Sequence, residues 1–549
     1  MIDALQDETL AKSDMREHER MKAARAPWES TWREIDELFP DGAGGFTPQS
    51  PGAIRGQQLY DVTHLTAAGR FAAAMLSITT PEQEQYIRPR FLDPEINKLR
   101  SVQLWCESAG ARLYAMRHAV HTGFTTAAIE DWDQTGRYGT APMWTDAIEG
   151  RGLFYRALHL SSCYIDVDFS GLVNRVHRQG DPRQVDELED MFGYDALTPK
   201  MQKAIEDKKP HTTFEVIHVI APNRDRDEDK FDHRRFPISS RWLALDEKIY
   251  VKRAGYNSMP ISVSRHSTSP GEIYGRSPAI KTMPTIMGLQ AMRKTTLRAA
   301  HKAVDPALLF NNDDGVTSLV TRPGGLNPGM VDDMGRPLVA RMPGGEAGLP
   351  YAENETERER QTVKTEFLEE FYKILTDPNS RMTTTEVLEV MGKQGVLVRP
   401  YAARWAVEKQ HPVSQRELEL AIRAGQLEEM PPEVKEAGAW PMIEYENKLA
   451  EMARAESTSK TLRFVEAITP MAQLDGGAVF DYLDTDAMVP GLAAEIGVKP
   501  SYVRDPKEVA AIRQQRDQQK QQAAMTEQVN QAADAYQKIA KGNQMSEAA

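Results

Sequence analysis

What this chain lacks narrows its function before any motif is considered. Among 549 residues only Cys106 and Cys163 are cysteine, too few for a disulfide framework and not in the CxxC spacing of a zinc or redox site. The opening stretch MIDALQDETLAKSDMREHERMKAARAPW has no apolar segment of the kind a signal peptide requires. No apolar run approaches the roughly 20 residues that cross a bilayer; the longest, Phe71–Ile78, is far shorter. These absences point to assembly in a reducing cytoplasm without a membrane partner. A basic excess is missing too: the net charge is -13 and the isoelectric point about 5.6, so bulk charge does not grip a phosphate backbone. GxxxxGK[ST], GxSxG and HExxH are all absent, which weighs against a P-loop motor or a familiar hydrolase. We therefore expect no enzymatic activity and no cofactor.

What is present is ordinary globular material, 40% hydrophobic and 27% charged, although a mean hydropathy of -0.53 indicates much polar surface. The length predicts roughly three to five domains. Residues 4–39 read as a charge-rich helix with Trp28, Trp32, Ile35 and Leu38 at helical spacing, a packing face. Asp61–Ile78 reads as an alanine-rich helix with Leu65, Ala68, Ala72 and Met75 on one side, its small residues allowing another helix to come close. From about 130 to 265 the pattern changes to short β-like runs, APMWTDAIEG, GLFYRALHL, CYIDVDF, TTFEVIHVIA and EKIYVKRAGY, divided by turn residues. A helical insert, Pro182–Asp207, interrupts them and is expected on the surface.

The stretch GEIYGRSPAIKTMPTIMGLQAMRKTTLRAAHKAVDPALLF then predicts a turn, a long helix and a stop at Asp305-Pro306. Because proline is tolerated only at a first turn or a kink, Pro284 places the continuous part at Thr282–Val304. Ile286, Leu289, Leu297, Ala300 and Val304 form a narrow apolar stripe, with Lys294, Arg298, His301 and Lys302 beside it. Residues 305–352 are turn-rich around two β candidates, SLVTR and PLVARM. A second long helix is predicted over 354–376, with Val363, Phe367, Phe371 and Ile374 on one face, ending at DPNSRM. Further helices are expected from Thr384, over 401–427 and over 440–500, before a Gln-rich tail that forms a helix only with neighbours.

Candidate sites are sparse. His118 and His121 at i, i+3, with Glu107 and Asp131, could begin a metal site, but no third ligand is fixed by spacing and a solvated helix face reads better. The pairs Asp166 with Asp168 and Asp484 with Asp486 either bind a divalent cation or point to solvent and cap helices. The basic stripe is either an ordinary exposed face or a functional surface.

Several stretches together carry a family resemblance: LYDVTHLTAAGRFAAAMLSITTP after the Arg- and Trp-rich helix, DWDQTGRYGTAPMW, GEIYGRSPAIKTMPTIMGLQAM, RMTTTEVLEV, PVSQRELELAIRAGQL and IGVKPSYVRDPKEV. In this order, over residues 15 to 515, the chain resembles the portal proteins, or head-to-tail connectors, of short-tailed double-stranded DNA bacteriophages. The resemblance implies an α+β, mainly helical, ring subunit. It implies an N-terminal wing (1–277), stem helix 1 (278–304), a clip (305–352), stem helix 2 (353–377), a channel loop (378–383), wing helices (384–431), a helical crown (432–505) and a C-terminal barrel helix or disordered tail (506–549). Such subunits form a closed ring of roughly twelve copies at one capsid vertex, assembled in the host bacterial cytoplasm. Double-stranded DNA passes through it during packaging and ejection. Terminase, tail adaptor, major capsid and scaffolding proteins are the implied partners. Carried onto this chain, Asn379, Ser380, Arg381 and Met382, with Lys294, Arg298 and Lys302, face the channel or DNA. Ile286, Leu289, Leu297, Val304, Phe367 and Phe371 form the stem contact between subunits. The basic residues either pair with Glu355, Glu359 or Glu366 of an adjoining hairpin or face the lumen. Alternatives are another structural virion protein, such as a tail adaptor, and a metal-dependent nuclease.

Overall fold

The computed structural model of the chain describes residues 2–40, 45–47, 56, 58–310, 319–322, 324–342, 348–370, 398–445, 461, 463–470, 482–496, 498, 500–504 and 508–526. Helices α1 (Ile2–Leu38) and α2 (Thr63–Thr79) come first, followed by β1 (Ile87–Arg90), α3 (Pro94–Lys98), α4 (Arg100–Arg117) and α5 (Phe124–Arg137). Strands β2 (Thr140–Ile148), β3 (Gly152–Ala157), β4 (Cys163–Val167), β5 (Val173–Gln179) and β6 (Arg183–Gln184) lead into α6 (Val185–Phe192) and α7 (Pro199–Glu206). Strands β7 (Thr213–Phe214), β8 (Val216–Pro222), β9 (Ile238–Ala244), β10 (Ile249–Tyr256) and β11 (Ile261–Arg265) precede α8 (Pro278–Val304). Then come β12 (Leu308–Phe310), β13 (Val339–Arg341), α9 (Leu349–Glu366), a helix over 398–405 that continues through a π-helical turn, Ala406–Gln410, into α10 (His411–Arg423), and α11 (Pro432–Ala437), β14 (Met442–Tyr445) and α12 (Thr485–Ile496).

The chain divides into two units. The first takes 1–86, 112–427 and 447–449. Its five-stranded antiparallel sheet runs in the order β10-β9-β8-β5-β4, and a three-stranded one runs β11-β2-β3. The core of this unit gathers Trp32 and Ile35 of α1, Phe71 of α2, Trp132 of α5, Val263 of β11, Ile286 of α8, Val363 of α9 and Trp405. The tryptophan face of α1 is therefore packing, as its spacing indicates. Ala67, Ala68 and Ala72 are buried on α2, and the ring of Phe71 leaves little room above Gly136 of α5.

Three strands escape the sequence expectation because polar residues, several of them buried, interrupt their apolar patterns. VNRVHRQ, ISSRWLA and ISVSR form β5, β9 and β11. In β11 every residue is buried, and Ser264 donates to Asp131 at 3.0 Å. Conversely, the first residues of the expected β region belong to α5, which runs to Arg137. The insert expected on the surface carries a small core of its own, in which Val185, Leu188, Leu197 and Met201 pack against Phe214, Val216, Ala244 and Val251 of the sheet.

The second unit takes 87–111, 428–446 and 450–549, so residues 87–111 leave the expected N-terminal body and join the C-terminal part. There β1 pairs antiparallel with β14, Ile87 opposite Tyr445 and Arg90 opposite Met442. Trp105 Nε1 donates to the Glu428 carbonyl at 3.0 Å. Among the described residues no helix is long and apolar enough to cross a membrane.

Candidate functional site

Two of the quoted stretches meet where α8 leaves the body. The Ser277 hydroxyl donates to the Arg137 carbonyl at 2.6 Å and accepts the Ile280 amide at 2.9 Å, which makes Ser277 the N-cap of α8 with Pro278 at the first helical position. The Gly275 amide donates to Thr140 Oγ1 at 2.9 Å, and His266 N donates to the Gly139 carbonyl at 2.9 Å. The two backbones cross so closely that a Cβ on Gly139 (φ 82°) or on Gly275 would strike the other glycine's carbonyl oxygen. Trp32 Nε1 holds the Tyr138 carbonyl at 3.1 Å, and the Tyr138 hydroxyl donates to Asp36 at 2.6 Å. Gly139 of DWDQTGRYGT and Gly275 of GEIYGRS thus serve a backbone crossing that fixes the root of the long helix.

From that root, α8 and α9 form a two-helix hairpin. Near the body Ile286, Leu289, Val363 and Phe367 are fully buried. The Gln290 side chain accepts the Tyr60 and Asp61 amides at 2.7 and 3.0 Å, and Arg360 forks onto Asp61 at 2.7 and 2.9 Å. Beyond Thr296 the character changes: from 297 to 355 no described residue is buried. Val304 is 87% exposed, Leu326 86%, Met334 81% and Tyr351 70%. Among the described residues of this stretch, β12 pairs with β13, Leu308 opposite Arg341.

Several expectations for this hairpin are corrected. The first helix starts at Pro278 rather than Thr282 and continues through Pro284. Of the two β candidates, PLVARM supplies β13, which pairs with Leu308–Phe310, while the described residues of SLVTR, 319–322, form no strand. The second helix starts at Leu349 and is interrupted after Glu366, where Leu368 takes a left-handed backbone (φ 59°); residues 369–370 are helical again, and 371–376 lie outside the described residues. Ile286, Leu289 and Phe367 lie inside the chain's own fold with no exposed surface to offer a neighbour. Leu297 is partly buried and Val304 exposed. Phe371, Asn379, Ser380, Arg381 and Met382, like the helix start at Thr384, lie outside the described residues.

The basic stripe is real in space. Helix α8 carries five Lys or Arg residues and no Asp or Glu. Among the described residues none of Lys281, Arg293, Lys294, Arg298 and Lys302 has an ion-pair partner; Lys294 instead sits over the Tyr60 ring, 5.5 Å from its centroid. Glu355 bonds Arg358 on its own helix at 2.9 Å.

A second feature went unseen in the sequence. The helix over 398–423 enters the body through charged residues. Lys409 and Asp131, both fully buried, pair at 2.7 Å. Lys409 also donates to the Ala141 and Ser262 carbonyls at 2.9 and 2.8 Å, and Asp131 accepts Trp405 Nε1 at 3.0 Å. Burial pushes the Lys409 pKa down while Asp131 pulls it back up. Arg117 and Glu417, also fully buried, meet at 2.6 Å, and Tyr155 donates to the same carboxylate. Arg265 with Glu408 (2.6 Å) and Arg416 with Asp146 (2.8 Å) extend the seam. The available signal was EKQHPVSQRE, where charges continue a helix whose Val398, Ala402 and Trp405 are core.

The metal candidates have other occupations. His118 lies beyond the end of α4, partly buried, 3.0 Å from the Tyr86 hydroxyl, with burial pushing its pKa down to about 4. It is therefore not on a solvated helix face. Asp166 pairs with Arg20, and Asp168 accepts the Ser170 and Leu172 amides at 2.8 and 3.1 Å. Asp484 accepts the Asp486 and Ala487 amides at 3.1 and 3.0 Å at the start of α12, and Asp486 pairs with Arg513 at 2.6 Å. No described group of three His, Cys, Asp or Glu residues could hold a metal ion.

With this geometry in hand, comparison with known proteins is informative. The family model described as bacteriophage head to tail connecting protein matches residues 11–503. A probable portal protein of Bordetella phage BPP-1 is 26% identical over 95% of this chain and 93% of its own length. The portal protein of Salmonella phage epsilon15 is 23% identical over 92% of this chain and 90% of its own. A solved structure described as "Neck of empty GTA particle computed with C6 symmetry" covers 83% of this chain and 97% of that one, at 11% identity and a TM-score of 0.39, too distant to inform this fold.

Proposed function

The chain belongs to the bacteriophage head-to-tail connecting protein family, and we propose that it is the portal subunit of a phage virion, closing with copies of itself into a ring at one capsid vertex. On this reading DNA moves through the ring's channel during packaging and ejection. The α8–α9 hairpin is the stem, residues 305–352 are the clip that meets terminase and tail adaptor proteins, and Asn379, Ser380, Arg381 and Met382 line the channel. Major capsid and scaffolding proteins surround the ring. No catalysis is asked of the chain on this reading.

The observation that carries this reading is that no described residue from 297 to 355 is buried, and that Val304, Leu326, Met334 and Tyr351 stand in solvent. A two-stranded hairpin is at best marginally stable alone, and exposed apolar residues at this density mark surfaces that other proteins cover. The test is electron microscopy of the purified full chain, with its mass in solution. Closed rings with a central hole are expected; compact monomers at every concentration contradict the reading.

A further inference from the structure

The uncompensated charges on the hairpin identify what covers it. On α8, Met287, Ala291, Lys294, Arg298 and Lys302 follow one another at i, i+4, i+7, i+11 and i+15, a single continuous row. Ala291, Thr295, Thr296 and Ala299, with Leu349 and Ala352, line a groove of about 340 Å³ where α8 meets α9. Ala291 borders both this groove and the cationic row, and among the described residues no side chain of the chain's own α9 forms an ion pair with Lys294, Arg298 or Lys302. On α9, Glu355, Glu359 and Glu366 share one flank at i, i+4 and i+11. Glu355 has only Arg358 beside it, and Glu359 and Glu366 have no ion-pair partner among the described residues. One hairpin therefore presents a cationic row on its first helix and an anionic flank on its second, and apart from the Glu355–Arg358 pair neither is neutralised among the described residues.

A cyclic ring needs this kind of asymmetry. Its contacts are heterologous, so one surface of each copy must complement a different surface of the next. Resting on the ring reading above, we propose that a second copy of this chain occupies the row: Lys294, Arg298 and Lys302 of α8 in one subunit face Glu355, Glu359 and Glu366 of α9 in the adjacent subunit. Met287, 44% exposed on the same row, adds apolar area to the contact. Each exposed pair contributes little alone, but the set recurs at every contact around the ring. It also sets direction, because two α8 rows or two α9 flanks brought together repel. A helix with five cations and no anion would bind a polyanion as well, but a polyanion leaves the acidic flank of α9 unmatched.

The experiment uses three full-length proteins. One carries Arg298→Glu with Lys302→Glu, one carries Glu359→Lys with Glu366→Lys, and one is unaltered. All four positions lie on the solvent side of their helices, and circular dichroism checks that the fold is kept. Each variant alone is expected to lose rings in electron microscopy. An equimolar mixture of the two regains them, because alternating copies restore every acid-to-base contact. Rings from either variant alone overturn the proposal while leaving the ring reading intact. So does a mixture that stays dissociated, since the charges are then not each other's partners. If the unaltered protein forms no rings, the ring reading itself fails, and this proposal with it.

Discussion

The body and the distal hairpin of the first unit solve the problem of charge and apolar surface in opposite ways. In the body even ionic groups are buried, because each is matched within the chain: Lys409 against Asp131, Arg117 against Glu417, Arg265 against Glu408. In the hairpin beyond Thr296 nothing described is buried, and the cations of α8 go unmatched. On the proposed reading the body is matched within one chain, whereas the distal hairpin is one side of a contact. Desolvating an ion pair is costly and repaid only by near-ideal geometry and further hydrogen bonds. Such pairs therefore belong where a rigid scaffold can position both partners, here the interior of the 398–423 helix against α4, α5, β2 and β11.

The largest effect expected from breaking this comparison is in the body. Asp131→Ala leaves the Lys409 ammonium buried without its carboxylate and strands the indole N–H of Trp405. Loss of one partner of a buried pair costs about 3–5 kcal/mol, so the urea midpoint of the subunit should fall sharply. A midpoint within experimental error of the unaltered protein would show that the seam is not a structural element.

Acid should act on the body next. Burial pushes His177 and His266 down to about 3, and neighbouring cations add to this: Arg175 and Arg241 near His177, Lys281 and Arg404 near His266. Burial also holds His218 well below the ordinary histidine value. Each is neutral in the fold, while in the unfolded chain it binds a proton from about pH 6.5 downward. The unfolded state then holds more protons, so stability is full above pH 6.5 and is lost progressively as the pH falls toward 3. Thermal unfolding at pH 7.5 and pH 5 should show the decline; a flat profile would mean these histidines are not buried in solution.

The smallest effect on stability and the sharpest on assembly is expected at the hairpin. Val304→Asp changes an exposed residue and should alter subunit stability by less than about 0.5 kcal/mol, yet it places a carboxylate in the proposed contact and should prevent ring closure. Normal rings from this variant would move the contact elsewhere.

These contrasts also explain what could be read from the sequence. Trp28, Trp32, Ile35 and Leu38 announce α1, and Ile286 and Leu289 announce α8, because helical periodicity is local. That Ile286 and Leu289 pack within the chain was not legible, since an apolar stripe looks the same whether its cover is the same chain or another. Strands β5, β9 and β11 were hidden by Arg, His and Ser residues whose partners lie far away in sequence, as Ser264 and Asp131 do. The buried seam was hidden for the same reason, because Lys409 reads as a solvated helix residue until Asp131 is placed against it. The pairing of β1 with β14, which draws residues 87–111 to the C-terminal unit, left no local trace.

The central claim, that the distal hairpin is finished by neighbouring copies, is tested most directly by hydrogen exchange. Peptides covering 297–310 and 349–363 would be compared between dissociated subunits and assembled rings, with the 131–145 segment of the body as reference. The account predicts fast exchange in the dissociated subunit and strong protection of both hairpin peptides on assembly, with the body peptide unchanged. Equal exchange of the hairpin peptides in the two states would contradict it.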